Sequence, residues 1–238
     1  DSDDFLQENA IEYLTDKAEA TNAEVVAAPF FFYYSENKMD ISGHFSFQEM
    51  TGMEYFNEIL SGRAYWSVWS NFLSRSLFER NDISFVPEIS FGEDAILMVQ
   101  LLYHTQKVVA LEQPILYYRQ IESSICHDIT PKRHEDLRTY TKWIERFMIE
   151  KGLYESYRNN LILKNIEMAF LCMHWGYYEN ADKDMKRIVK DIKKRPQLLK
   201  CLPGNRGLLS VYKDILLIAR APLRLRLLQA PKDVKPVG

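Results

Sequence analysis

Cysteine, glycine and proline are all scarce in this 238-residue sequence, which holds three, nine and nine of them. Cys126, Cys172 and Cys201 are odd in number and widely spaced. They form neither a disulfide framework nor a metal-ligand spacing, and they point to a reducing compartment. The plain expectation for all three is burial in a core, where free cysteine behaves as a small hydrophobe. No apolar run approaches the roughly 20 residues of a transmembrane helix. There is no internal repeat and no low-complexity segment. What remains is 47% hydrophobic and 13% aromatic, a globular composition rather than a disordered or fibrous one. The length suits one large domain, or a domain with an appendage.

The net charge of −3 hides a split. From Lys186 to Gly238 there are 14 Lys and Arg against three acids, a net of +11, while the first 185 residues carry 16 basic and 30 acidic residues, a net of −14. Two surfaces with different partners are implied. The basic end contains an apolar stretch, residues 208–228, in which Lys213, Arg220, Arg224 and Arg226 interleave with leucine and isoleucine and Pro222 interrupts the helical pattern. It suits an interfacial helix on anionic lipid, at about 1 kcal/mol per basic residue near the surface. A terminal helix packed on the domain with a solvated basic face explains it equally simply. Nucleic acid is disfavoured, because no recognition motif is present and few aromatics stand among the basic residues.

Along the chain, "DSDD" leads into "FLQENAIEYLTDKAEAT", where Leu6, Ala10, Ile11, Leu14 and Ala18 stand at helical spacing. "AEVVAAPFFFYY" follows as a buried strand. "ENKMDISGHFSFQEMTG" reads as a loop or small excursion, and "GMEYFNEILSG" as a short helix closed by Gly62. The mixed spacing of "YWSVWSNFLSRSLFERND" predicts a second helix. In "FGEDAILMVQLLYH", Gly92 allows a turn and Glu93 and Asp94 open an apolar helix. "KVVALEQ" and "ILYYRQ" are strands parted by Pro114. From Thr130 onward three long amphipathic helices are predicted, which sets a boundary near residue 129 between an α/β part, 1–128, and a helical part, 129–238.

Acid pairs stand at "DSDD" and "GED". Carboxylate oxygens are hard ligands, and Mg²⁺ sites commonly use one or two of them plus substrate phosphates. Asp1 and Asp3 suit such an ion with a diphosphate. The simpler alternatives are that Asp3 or Asp4 caps the following helix, and that Glu93 and Asp94 meet the positive end of a helix dipole.

The order of the motifs narrows these choices. "DSDD", then tryptophan near a second helix, then "FGEDAILMVQLL", "KVVALEQPILYYR" and "SSI": the series resembles the inverting family 2 glycosyltransferases of the GT-A fold, over residues 1 to about 128. The resemblance implies an α/β fold class, the carboxyl-terminal portion of a GT-A mixed sheet with helices, followed by an α-helical region. It implies a bacterial enzyme of cell-surface polysaccharide synthesis that moves a sugar from a nucleotide-diphosphate donor to a saccharide or lipid-linked acceptor. Asp1 and Asp3 match the DxD motif, with Asp3 the closer contact to Mn²⁺ or Mg²⁺, and Asp4 beside them on the substrate side. Asp94 matches the catalytic base and Glu93 helps position the acceptor. Trp69 borders the acceptor. Arg119 and His127 fall where some members touch the phosphates or metal. Burial and the neighbouring Glu93 are expected to raise the pKa of Asp94.

In that family some 80 to 90 further residues precede the DxD motif and build the base and ribose pocket. Their absence from this sequence predicts a truncated catalytic domain that binds sugar nucleotide poorly by itself. A non-catalytic relic serving as an interaction module is the alternative. Location would be cytoplasmic, peripheral on the inner face of the membrane through residues 208–228.

Overall fold

Two prolines shape the amino-terminal part of the molecule. In the computed structural model, which describes residues 3–87, 89–121, 130–174 and 181–200, strand β2 (Val25–Ala27) continues past Pro29 into β3 (Phe31–Ser35). Strand β7 (Val108–Ala110) continues past Pro114 into β8 (Leu116–Arg119). The two run parallel in both halves, with Ala27 opposite Ala110 and Phe31 opposite Tyr117. Between those rungs the second strand takes three more residues than the first, and this bulge turns the ribbon from one sheet into another. Proline donates no backbone hydrogen bond, yet the Pro29 carbonyl still accepts from Ile115 N at 3.0 Å, and Ala27 O accepts from Leu111 N at 2.8 Å. The expected single strand is therefore two, with Pro29 as the break.

Each half gains outer strands. The first sheet has the order β5-β7-β2-β6, with β5 at Glu49–Met50 and β6 at Asn71–Leu73. The second has the order β1-β8-β3-β4, with β1 at Phe5–Leu6 and β4 at Lys38–Ile41. Val25, Val26 and Ala27 are fully buried, as in the doubly covered strands of α/β proteins. Helix α1 (Ala10–Thr21) covers one face, placing Ala10 and Leu14 in a cluster with Val26, Phe30, Val109 and Ile115. The helix starts later than its apolar spacing suggests. Phe5 and Leu6 pair with Tyr117 and Leu116 instead, and Ile11 is 53% exposed.

The stretch 65–82 is also recast. A 3-10 turn at Val68–Ser70, strand β6 and a short helix α3 (Arg75–Arg80) replace the predicted helix. Asn71, Phe72 and Leu73 complete the ladder of β2, a long-range pairing that local spacing does not reveal. Helix α2 (Gly52–Leu60) and helix α4 (Glu93–His104) pack together. Thr51 and Glu54 form a capping box on α2. The close approach needs glycine at 52: a Cβ there would strike the Leu102 carbonyl.

Beneath this pair lies a buried polar knot. The Tyr55 hydroxyl donates to Asn71 Oδ1 at 3.1 Å, and Asn71 Nδ2 donates to Ser67 O at 2.9 Å. Burial pushes the Tyr55 phenol well above its usual pKa, so it stays a donor. Tyr55→Phe leaves Asn71 Oδ1 without that partner, and a loss of about 1–3 kcal/mol is expected in urea unfolding. An unchanged midpoint would show the bond to be dispensable.

Helix α5 (Pro131–Glu150) begins at Thr130, whose side chain accepts from Arg133 N, with proline in the first turn. The chain divides into two compact units, 1–154 and 155–238. The sequence set its boundary near 129, and the difference is α5, which packs on α4 within the first unit. The second unit holds most of α6 (Tyr154–His174), then α7 (Ala181–Lys194) and a 3-10 turn at Pro196–Lys200. All three long helices predicted after Thr130 are present. The molecule is thus mixed α/β with a helical carboxyl-terminal part, the predicted class. Residues Asp1, His127 and 208–228, and the side chains of the three cysteines, lie outside the described residues.

Candidate active site

Gly92 has φ +90°, a left-handed turn that reverses the chain into α4 and sets Glu93 and Asp94 in its first turn. Their carboxylates sit at the positive end of the dipole, and Glu93 accepts from the backbone N–H groups of Gly92 and Glu93 at the helix start. Asp94 Oδ2 instead accepts from Val68 N at 3.0 Å, across to the 3-10 turn. Burial raises the Asp94 pKa, against the lowering effect of that N–H. Glu93 is raised as well, first by burial and then by the nearby negative charges of Asp94 and Asp136. The direction expected for Asp94 from the sequence is the one found.

From Val68 the site extends to the other acid cluster through a short series of contacts. Trp69 stacks on Tyr118 of β8, with ring centroids 5.0 Å apart and planes 27° off parallel, and meets Phe30 edge-on at 4.7 Å. Next along β8, Arg119 N donates to Asp4 Oδ1 at 2.9 Å, while its guanidinium lies over the Phe5 ring at 5.5 Å. Four predicted positions, Asp4, Arg119, Trp69 and Asp94, are thus linked by a short series of contacts, although the Arg119 side chain, over Phe5, lies on the other face of β8 from Tyr118 and Trp69. The helix-cap alternative for the first cluster fails, because α1 begins only at Ala10, behind Asn9. Asp3 stands half-buried beside Asp4. At the end of β8, an open depression of about 520 Å³ is lined by Arg119, Gln120 and the β3–β4 hairpin residues Tyr33 to Asn37.

Among the described residues, no group of three or more His, Cys, Asp or Glu side chains gathers for a metal. Asp4 is already engaged by the Arg119 N–H. Among the described residues the hard donors at this end are the Asp3 carboxylate and Oδ2 of Asp4; Asp1 lies outside them. That chemistry fits an ion held by one or two carboxylates, with its other positions taken by substrate phosphate and water.

The support behind "GED" comes from a distant helix. Asp136 of α5 is buried, 1% exposed, and accepts from both Ser90 N at 3.2 Å and Ser90 Oγ at 2.9 Å. Lys132 pairs with its other oxygen. Burial alone would raise the Asp136 pKa, but the bonds from Lys132 and Ser90 together hold it below the usual range. The spacing of Lys132 and Asp136 was visible as a helical ion pair. Its link to Ser90, 46 residues away in sequence, was not.

No protein-family model matches the chain. It is 23% identical over 201 residues to the uncharacterized glycosyltransferase EpsJ of Bacillus subtilis (strain 168), covering 81% of this chain and 58% of that protein. Among solved structures, residues 1–349 of S. aureus TarS in complex with UDP-GlcNAc align with 96% of the chain and 58% of that structure, at 15% identity and a TM-score of 0.47. A further structure of S. aureus TarS gives 16% identity and a TM-score of 0.47, covering 96% of this chain and 34% of that one. The chain therefore spans 58% of the length of the curated relative it matches. Over four-fifths of its own length it is similar in sequence to a glycosyltransferase, in agreement with the resemblance carried by its motifs.

Proposed function

We propose that the protein to which these residues belong transfers a sugar, with inversion, from a nucleotide-diphosphate donor to a saccharide or lipid-linked acceptor. The observation that carries this reading is the half-buried Asp94 carboxylate, held by Val68 N beside Trp69, whose ring stacks on Tyr118, the neighbour in β8 of Arg119, which binds Asp4. In this mechanism Asp94 takes the proton of the attacking hydroxyl as the carbon–oxygen bond forms. The sugar–phosphate bond breaks on the opposite side and releases the nucleoside diphosphate. A positioned base contributes typically about 10²–10⁴-fold. Glu93 and Trp69 border the acceptor, the indole giving it an apolar wall. Arg119 lies on the phosphate side, with His127 assigned there too. Asp3, with Asp1, would hold Mn²⁺ or Mg²⁺, which supplies charge stabilisation to the departing diphosphate.

Among the described residues, no helix is long and apolar enough to cross a membrane. The basic stretch 208–228 is assigned in this proposal to anionic lipid, which suits a lipid-linked acceptor on the cytoplasmic face.

The test is nucleoside diphosphate release by the intact protein from a panel of nucleotide sugars, with Mn²⁺ and after EDTA. Turnover with at least one donor, lost on chelation and restored by Mn²⁺, is expected. No release from any donor would overturn the enzymatic reading, and chelator-resistant turnover would remove the metal from it.

A further inference from the structure

Three consecutive residues lead into the Glu93–Asp94 pair, and one face of α5 touches each of them. Asp136 binds Ser90 through both its N–H and its hydroxyl. The Arg133 guanidinium lies 3.9 Å from the centroid of the Phe91 ring. The Tyr140 ring fills the space where Gly92 would carry a Cβ. Positions 133, 136 and 140 share a helix face, so a single rigid element fixes the whole loop.

Asp136 stands out among the three. A carboxylate removed from water is unfavourable unless paired and hydrogen-bonded, and well-packed apolar residues usually serve stability as well or better. Here one carboxylate oxygen receives both Ser90 donors and the other faces Lys132. A planar acceptor gripping a backbone N–H and a hydroxyl on the same residue fixes that residue's orientation, which apolar packing does not. Ser90 itself is exposed, so the clamp buries nothing for it. Its effect is on where the next residues go.

We propose that Asp136 is a positioning residue for the Glu93–Asp94 pair, acting through Ser90. This deepens the transferase reading and rests on it. Asp136 reaches neither substrate nor metal. It sets the height and direction at which the loop enters α4, and hence the angle at which the base meets the acceptor hydroxyl. Misplacement of a reacting group by about 1 Å can lower turnover about a hundredfold.

The experiment compares Asp94→Asn, Asp136→Ala, Ser90→Ala and the Asp136→Ala/Ser90→Ala double variant in the intact enzyme, reading kcat, donor KM and thermal midpoint. Asp94→Asn is expected to be inactive. Asp136→Ala should lower kcat about ten- to a hundredfold with donor KM unchanged. Ser90→Ala, which keeps the backbone donor, should lower it less. The double variant should be no slower than Asp136→Ala alone, because both substitutions break one link. If Asp94→Asn still turns over, the transferase reading itself falls and this proposal with it. If Asp94→Asn is dead but Asp136→Ala keeps wild-type kcat, or the two single effects multiply, only the positioning role is overturned. Should Asp136→Ala fail to fold, Ser90→Ala decides: an unchanged kcat refutes the role.

Discussion

Asp94→Asn should abolish sugar transfer while leaving the protein folded and its donor affinity intact. Asparagine is nearly isosteric, and its Oδ1 can still accept from Val68 N, the bond that Asp94 makes at 3.0 Å. What it cannot do is take a proton. If Asp94 is the base, kcat should fall by about 10²–10⁴-fold. The pH dependence follows from the same geometry. Burial raises the Asp94 pKa, so the wild-type rate should be lost on acidification at a higher pH than an ordinary carboxylate, at about 3.9, would give. The acidic limb of kcat/KM reports this group in the free enzyme, and it should disappear in any residual activity of the variant. Stability runs the other way. A carboxyl whose folded pKa lies above its unfolded value binds its proton more tightly when folded, so the group opposes folding as pH rises through that window. Asp94→Asn should therefore be neutral or stabilising at pH 7, a loss of activity without loss of fold. A folded variant with near wild-type turnover would remove Asp94 from the mechanism.

Gly92→Ala is expected to cause the largest stability loss of any change at the site. Two independent penalties combine there. The backbone angle of +90° is one that L residues with a Cβ rarely adopt, which stores about 1–3 kcal/mol. The new methyl would also be driven into the Tyr140 ring, and overpacking a filled position typically adds about 1–3 kcal/mol. A loss of about 2–6 kcal/mol in urea unfolding, with little change in m-value, is the expected result. Made in a Tyr140→Ala background, Gly92→Ala should cost only the backbone share, because the ring it would strike is gone. A Gly92→Ala variant within about 0.5 kcal/mol of wild type, the ordinary range for surface changes, would show that the turn is not what fixes α4.

Both predictions concern a segment whose chemistry is local, which is why it was readable. Glycine followed by two acids and an apolar run specifies a left-handed turn and a helix start from adjacent residues alone. Pro114, parting "KVVALEQ" from "ILYYRQ", gave β7 and β8 for the same reason. Pro29 carries an equivalent signal, but the β-branched and aromatic run around it masked the break. The failures share a cause. Asn71–Leu73 become a strand because β2 needs a partner, and Phe5–Leu6 because β8 does. Neither partner is near in sequence, and local spacing favoured helix in both places. The role of α5 was hidden likewise: its polar residues Arg133, His134 and Asp136 are buried, whereas a polar turn of an amphipathic helix ordinarily faces solvent. Of the candidate site, residue types and order were legible. The contacts joining them, Val68 to Asp94, Trp69 to Tyr118 and Arg119 to Asp4, depend on how the ribbon turns at its two prolines.

The central claim is that one cleft presents the amino-terminal aspartates to the departing diphosphate and Asp94 to the incoming hydroxyl. A crystal structure of the intact protein with a nucleotide sugar and Mn²⁺ measures this directly. Diphosphate and metal are expected beside Asp3, with the reactive sugar carbon between them and Asp94. A donor seated elsewhere, or Asp3 and Asp94 opening into separate clefts, would contradict it.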